Sequence, residues 1–319
     1  MVTPQPFLPP GPMYEYHLEY ALRDGVAEAA LIDALGPLWG SGVTGVADPG
    51  LLARPVMPGG ATGVVVGFGP ELWDRLAPGQ SPPALAPMRE IRGPGGQVAP
   101  ATQRDLWVWL HAGRQDVLFD AARGVNRQLR DVAVLVGEQA CFPYHNSLST
   151  MGGFIDGTAN PGPFEQARWA LIPEGEPGGG GSTVLLQRWT FTGFDEFNDL
   201  PLPDQELVFG RRKPGGEELD PQVESSHVAR TTLERDGQEL KIVRRNAYWG
   251  TPTETGVMFV GFGADPTTVL AMLERMYGIG EPSITDRLID FATADTGSFY
   301  FVPSIEALEA IGVTPPTAD

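Results

Sequence analysis

One local pattern occurs twice in this chain and constrains its fold more than any other feature: an apolar run, a glycine-rich turn, then a helix start. Val65-Val66-Gly67-Phe68-Gly69 leads into Pro70-Glu71-Leu72-Trp73-Asp74-Arg75-Leu76. Phe259-Val260-Gly261-Phe262-Gly263 leads into Ala264-Asp265-Pro266 and a helical Thr267 to Met276. Each reads as a buried strand followed by a helix with an acid at or near its first turn. A chain of 319 residues has room for two such units, so the echo implies an internal duplication.

The remaining segments extend this pattern. Gly25 to Leu35 reads as a helix, Asp105 to Leu110 as a strand, Arg114 to Leu135 as a long helix and Val184 to Phe191 as a strand. Thr231 to Arg244 carries Asp236-Gly237 between two strand-like runs, a strong hairpin signal that places residue 229 opposite residue 244. These units predict an α+β fold of two similar antiparallel-sheet halves with helices packed on them. The break near Cys141 to Thr150 divides residues 1–148 from 149–319, and Gly178 to Gly181 reads as a flexible loop in the second half.

Composition narrows the function classes. The 41 glycines and 31 prolines point to long, turn-rich loops, while 42% hydrophobic residues provide for a core. No run of 18 apolar residues occurs, which excludes a transmembrane helix. The start, Met1 to Pro10, lacks the basic and apolar regions of a signal peptide. The single Cys141 has no internal disulfide partner, and the expectation is a cytoplasmic protein. A net charge of −18 argues against binding nucleic acid or an anionic membrane.

Three places could carry chemistry. The four histidines, His17, His111, His145 and His227, form no HxH or HxxxH pair, which disfavours a histidine-rich zinc or non-heme iron site. A single axial histidine remains open, and heme needs only one protein ligand to its iron. Met151 to Pro161 sets Asp156 between Gly153 and Gly157, where bare backbone can approach a flat ligand and an acid among apolar groups can shuttle protons. An ordinary Asp-Gly turn accounts for the same residues. Ser225-Ser226-His227-Val228-Ala229-Arg230, the hairpin, and Lys241 to Asn246 bring His227 and Arg244 into one neighbourhood, where a cation can stabilise charge on a bound oxygen species. A surface hairpin with arginines paired to Glu234 and Glu239 is the other reading.

Taken in order, these segments resemble the dye-decolorising peroxidases, heme enzymes of the subgroup called class P or B. The resemblance rests on GxxDG at Gly153 to Gly157, extended through Thr158-Ala159-Asn160-Pro161. It continues through Gly181 to Trp189, Gln205 to Lys213, Ser225 to Arg230, Ile242-Val243-Arg244, Asp286 to Phe291 and Thr296 to Ser304. It implies two ferredoxin-like halves of the dimeric α+β barrel type, with one heme b per chain in the C-terminal half. His227 corresponds to the proximal iron ligand, Asp156 to the distal acid, Arg244 to the distal arginine and Asn246 to a distal polar residue. Asp286, with Asp290 as runner-up, corresponds to the carboxylate holding the proximal imidazole. Ile155, Gly157, Thr158, Arg230 and Arg244 are further candidates for contact with heme.

The resemblance implies reduction of hydrogen peroxide through a ferryl intermediate, with oxidation of dyes, phenols or other one-electron donors. Asp156 would act as base then acid and Arg244 would stabilise the developing charge, with activity favoured at acidic pH. The family commonly reads Met-Pro-aromatic-Gly after the distal polar residue, whereas this chain has Ala247-Tyr248-Trp249-Gly250. That departure bears on pocket shape and leaves room for an alternative, a heme-handling protein that carries heme or releases its iron with little turnover. A heme-free relic is disfavoured by His227, Asp156 and Arg244 occurring together, and a chlorite-decomposing relative, which shares the general fold and a distal arginine, by the aspartate of GxxDG. As partners, the resemblance implies peroxide and small or bulky reductants, leaves open a homodimer or higher homo-oligomer, and finds no encapsulin-cargo extension in the tail after Ser304.

Overall fold

The computed structural model describes residues 2–7, 13–39, 63–147, 149–155, 157–213 and 215–313. Asp156 and the tail beyond residue 313 lie outside the described residues.

The first half runs β1 (Tyr14–Leu22), α1 (Glu28–Leu35), β2 (Gly63–Phe68), α2 (Pro70–Leu76), a short pair β3 (Ile91–Arg92) and β4 (Val98–Ala99), then β5 (Leu106–Ala112), α3 (Gln115–Leu129) and β6 (Ala133–Cys141). The second half opens with α4 (Gln166–Ala170), β7 (Ser182–Thr190), α5 (Phe194–Asp199), α6 (Leu202–Phe209) and α7 (His227–Thr231). A small hairpin of β8 (Leu233–Arg235) and β9 (Gln238–Leu240) follows, then β10 (Val243–Arg244), β11 (Ala247–Gly250) and β12 (Thr255–Gly263). It closes with α8 (Pro266–Met276), β13 (Thr293–Ala294), β14 (Ser298–Val302) and α9 (Ile305–Ala310).

Among the described residues ten strands form one sheet with the path β10-β12-β7-β14-β2-β5-β1-β6, β11 pairing with β12 and β13 with β7. All pairings are antiparallel. Taking β1, β2, β5 and β6 as one half and β7, β10, β12 and β14 as the other, both halves have the order second-third-first-fourth. They meet where Phe301 of β14 pairs with Phe68 of β2. At the far end Phe142 bridges Tyr248, its amide donating to the Tyr248 carbonyl at 2.8 Å, so the path returns on itself as a barrel.

The duplication therefore exists, but the sequence echo does not mark it. Val65 to Gly69 belongs to the second strand of its half and Phe259 to Gly263 to the third strand of the other; the counterpart of β12 is β5. The two runs share the strand-turn-helix geometry because α2 and α8 both begin with proline, which is preorganised for a first helical turn.

Alternation sets the layers. Leu106, Val108 and Leu110 of β5 join Leu18 and Tyr20 of β1 in a core with α1, α2 and α3. Trp107 and Trp109 face the other way, into a barrel interior shared with Val184, Leu186, Trp249, Met258, Val260, Phe262 and Tyr300. Leu185, Trp189, Val269, Leu273 and Ile289 form a third cluster, in which the β7 face opposite the barrel interior meets α8.

Three local expectations are corrected. The helix expected through Leu135 ends at Leu129; Ala133–Cys141 is a strand because it gains a nine-residue partner in β1, and Val134 and Val136 suit a pleated strand. The Asp236-Gly237 hairpin forms, with both residues at positive φ, but its ladder stops at Leu233 and Leu240. Residue 229 does not face residue 244, because Ser226 caps a helix that takes up His227–Thr231. Gly178 to Gly181, expected as a flexible loop, forms a turn held by reciprocal bonds between Ile172 and Gly180–Gly181.

Candidate functional site

His227 is the first residue of α7, set there by its neighbour: the Ser226 hydroxyl accepts from the Ala229 amide at 3.3 Å and donates to Gln222 at 2.9 Å. Its Nδ1 lies 2.7 Å from Oδ2 of Asp286, a carboxylate with no exposed surface. The other oxygen of Asp286 accepts from the Leu288 amide at 2.8 Å, capping the short helical turn at Arg287–Asp290. With both oxygens engaged the carboxylate has one orientation, and it orients the imidazole in turn. Asp290 is exposed and holds no such contact.

With Nδ1 engaged, Nε2 is the ring nitrogen left for a ligand, and His227 lines a cavity of about 340 Å³. Ile155, Gly157, Thr158, Arg244 and Asn246 line the same cavity, and every lining residue falls between Thr150 and Ala292. Its walls are largely apolar, from Leu185, Phe191, Phe259, Leu273, Met276 and Leu288. Arg230 does not line it. Its Nε donates to the Arg275 carbonyl at 3.2 Å, bracing α7 against α8, and burial followed by the nearby Arg275 charge lowers its pKa.

Arg244 reaches the cavity from β10, and its neighbours follow the two-residue period of a strand. Arg244, Asn246 and Tyr248 line the cavity. Ala247 and Trp249 pack in the barrel interior, where the Arg188 guanidinium lies 3.7 Å from the Trp249 ring centre. Of Ala247, Tyr248 and Trp249, only Tyr248 therefore forms cavity wall.

The glycine loop is built from below. Gly153 has φ +81°, and a Cβ there would lie 2.7 Å from Cε of Lys213, whose ammonium donates to Gln205 at 2.6 Å. Phe154 stacks on Phe209 at 4.0 Å, and Phe209 meets the His227 ring edge-on at 6.2 Å. The two motif regions are thus joined through one aromatic contact chain.

Two buried polar atoms on the lining have no hydrogen-bond partner among the described residues: Asn246 Oδ1 and Gln187 Nε2. An unpaired buried polar atom is costly, so these fit a polar ligand. Gln187 was not legible as a site residue, because it lies in a strand whose pattern reads as core.

A porphyrin fits this donor set. The walls can cover a flat apolar macrocycle and a single oriented imidazole can hold its iron. Among the described residues no group of three or more His, Cys, Asp or Glu side chains converges to hold a bare metal ion.

Residues 17–143 match the Dyp-type peroxidase N-terminal family model and 149–307 the C-terminal one. This chain belongs to the Dyp-type peroxidase family. A dye-decolorizing peroxidase of Brevibacterium linens is 37% identical over 315 residues, 96% of this chain and 82% of that protein. One of Mycobacterium tuberculosis is 34% identical over 319 residues, 97% of this chain and 90% of that protein. Among solved structures, DyPB from Rhodococcus jostii RHA1 is 34% identical with a TM-score of 0.85, covering 97% of this chain and 98% of its own. A variant of that peroxidase solved in complex with heme is 33% identical with a TM-score of 0.85, covering 97% of this chain and 99% of its own.

Proposed function

We propose that this protein is a heme-dependent peroxidase that reduces hydrogen peroxide and oxidises dyes, phenols or other one-electron donors. The observation that carries the reading is the cavity that gathers His227, Arg244 and Asn246, with the His227 imidazole tied to a fully buried carboxylate. The Dyp-type relatives are named as peroxidases over nearly the whole chain, which favours turnover over heme carriage.

His227 would hold the iron through Nε2. The Asp286 carboxylate keeps the Nδ1 proton engaged and makes the imidazole a stronger donor. Heme, when bound, supplies the redox-active iron at which the O–O bond of peroxide is broken. Asp156 would take the proton from one peroxide oxygen and return it to the other, which leaves as water. Arg244 would stabilise the negative charge that develops during that transfer and keep Asp156 ionised beforehand. The unpaired Oδ1 of Asn246 would accept a hydrogen bond from the remaining O–H and so orient the oxidant. Ile155, Gly157 and Thr158 would border the macrocycle.

In this reading residues 149–319 carry one heme b per chain and residues 1–148 form the companion half. No described helix is long and apolar enough to cross a membrane.

The test is reconstitution with hemin followed by rapid mixing with peroxide. A Soret band that is absent in His227→Ala, and that changes rapidly on adding peroxide only while Asp156 and Arg244 are intact, supports the reading. A bound heme inert to peroxide would favour heme carriage instead.

A further inference from the structure

The barrel interior holds a group of side chains that the peroxide chemistry does not use. Along β1, Glu15, His17 and Glu19 all point inward and are buried. They face Trp107, Trp109 and His111 of β5 and Tyr300 of β14, also buried. Carboxylates and imidazoles at positions where a barrel normally carries aliphatic residues are expensive to bury without a purpose.

Their geometry is ordered. The rings of His17, Trp107 and Trp109 are nearly parallel, with interplanar angles of 3° to 8° and ring centres 5.9–6.0 Å apart. Tyr300 continues the series 5.7 Å from Trp107. The slot that lets Tyr300 stand beside Trp107 is made by Gly67 of β2: a Cβ there would lie 2.9 Å from the Trp107 ring and 3.0 Å from Tyr300 Cβ. The phenol of Tyr300 donates to Glu19 Oε1 at 2.6 Å.

This series lies directly behind the site. Tyr300 pairs across the ladder with Val184, and the next residue, Leu185, lines the cavity from the opposite face of the same strand. One layer of sheet separates the two compartments.

We propose that Tyr300 and Glu19 form an internal redox site, a tyrosine that stores an oxidising equivalent. The proposal rests on the peroxidase reading for its physiological oxidant, hydrogen peroxide. Reducing one peroxide to two waters takes two electrons and two protons. When no external donor is at hand, Tyr300 supplies one of those electrons and the heme, when bound, the other, the protons of the waters coming from solvent; the Tyr300 O–H proton passes to Glu19, leaving a neutral tyrosyl radical beside a protonated carboxyl. A later donor returns the electron and Glu19 returns the proton, so the site resets without loss of atoms.

The choice of Tyr300 over its neighbours follows from proton acceptors. An oxidised aromatic N–H or O–H becomes strongly acidic and is held only where a base takes its proton. Trp107 Nε1 is buried with no acceptor among the described residues, so Trp107 can pass a charge on but not keep it. Trp109 does have one, donating to Glu15 at 2.9 Å, but tryptophan is harder to oxidise to its neutral radical than tyrosine. Around Glu19, burial raises the carboxyl's pKa, opposed by the hydrogen bonds of Tyr300 and Ser298 and the charges of Arg104 and His17. A carboxylate in that setting takes up the phenol's proton more readily than a surface one.

The experiment uses the hemin-loaded protein carrying ring-deuterated tyrosine, and reads the radical by freeze-quench electron paramagnetic resonance. One sample is oxidised with peroxide in the absence of a reductant, and a second by flash photolysis with a ruthenium photosensitiser. The expected result is a tyrosyl signal narrowed by deuteration, lost in Tyr300→Phe and kept in Tyr20→Phe. Tyr300→Phe removes only one hydroxyl, and Glu19→Gln provides a second variant in which the phenol stays but its base is gone; the signal should fall there as well. A tyrosyl signal that survives Tyr300→Phe, or a radical on tryptophan in the unaltered protein, overturns the proposal. A Tyr300 signal from the flash but not from peroxide upholds the redox pair and instead overturns the peroxidase reading.

Discussion

The side chain of Asn160 holds the backbone of Arg244 at both ends. Its Oδ1 accepts from the Arg244 amide at 2.8 Å and its Nδ2 donates to the Arg244 carbonyl at 3.1 Å. The glycine-loop motif thereby acts as an extra strand-like partner for β10 and ties the loop to the arginine that enters the cavity. Asn160→Ala removes both bonds, each worth about 1 kcal/mol in net stability. The larger effect is positional: the rate of reaction with peroxide should fall by about 10- to 100-fold while the Soret band stays. Rapid mixing of the hemin-loaded variant checks this, and an unchanged rate would show the clamp to be structural only.

The contact between His227 and Asp286 predicts a loss of cofactor affinity. Asp286→Asn should weaken hemin binding by about 10- to 100-fold, the usual effect of removing a ligand's orienting carboxylate. A hemin titration followed at the Soret band measures it. Asp290→Asn, at the exposed end of the same turn, should leave affinity as it was.

Asp156→Ala and Arg244→Leu should each slow the peroxide step by at least about tenfold, the low end for a positioned proton-transfer or charge-stabilising group. The dependence on pH separates them. The arginine variant should keep a titrating acid limb, and the aspartate variant should lose it.

Burial, with smaller contributions from the charges of Arg245 and His17, lowers the pKa of His111 from 6.5 to about 4. The unfolded chain then binds more protons than the folded one between those values, so stability is complete above pH 6.5 and declines as pH falls toward 4. At about 1.4 kcal/mol per pKa unit the decline amounts to about 3 kcal/mol. Denaturant midpoints measured across this window should show it, and His111→Gln should flatten that part of the curve.

Tyr248 and Trp249 should separate by function. Trp249→Phe weakens an interior cation–π contact worth about 0.5–2 kcal/mol, and should lower the melting temperature with little effect on KM. Tyr248→Ala enlarges the cavity wall and should change KM for bulky donors. If both variants changed KM equally, their assignment to opposite faces of β11 would be wrong.

Much of the site was legible because its chemistry is local in the chain. Gly153 to Asn160 and Ser225 to Arg230 are continuous motifs whose residue types and spacing survive without knowledge of the fold. What they touch was less legible. The pairing of Asn160 with Arg244 spans 84 positions, and nothing in either segment alone identifies the other as its partner. Gln187 was missed because a polar residue in an apolar strand gives no sign of which face it occupies. The motif names Arg230 as a heme contact, and nothing in its sequence announces that its Nε donates to the Arg275 carbonyl.

The sequence by itself determined the α+β class and the strand-turn-helix segments, and it supplied the candidate residues. These follow from two-residue alternation, turn glycines and side-chain chemistry, all of which act over a few residues. Tertiary structure decided the rest. It made Ala133–Cys141 a strand by supplying β1 as its partner, and set the echoed runs at non-equivalent places in the two halves. It also closed the barrel through Phe142 and Tyr248, which put the cavity and the tyrosine-tryptophan series on opposite faces of one sheet. Strand partners are chosen by how whole faces bury together, and that free energy belongs to the assembled layers rather than to any one segment.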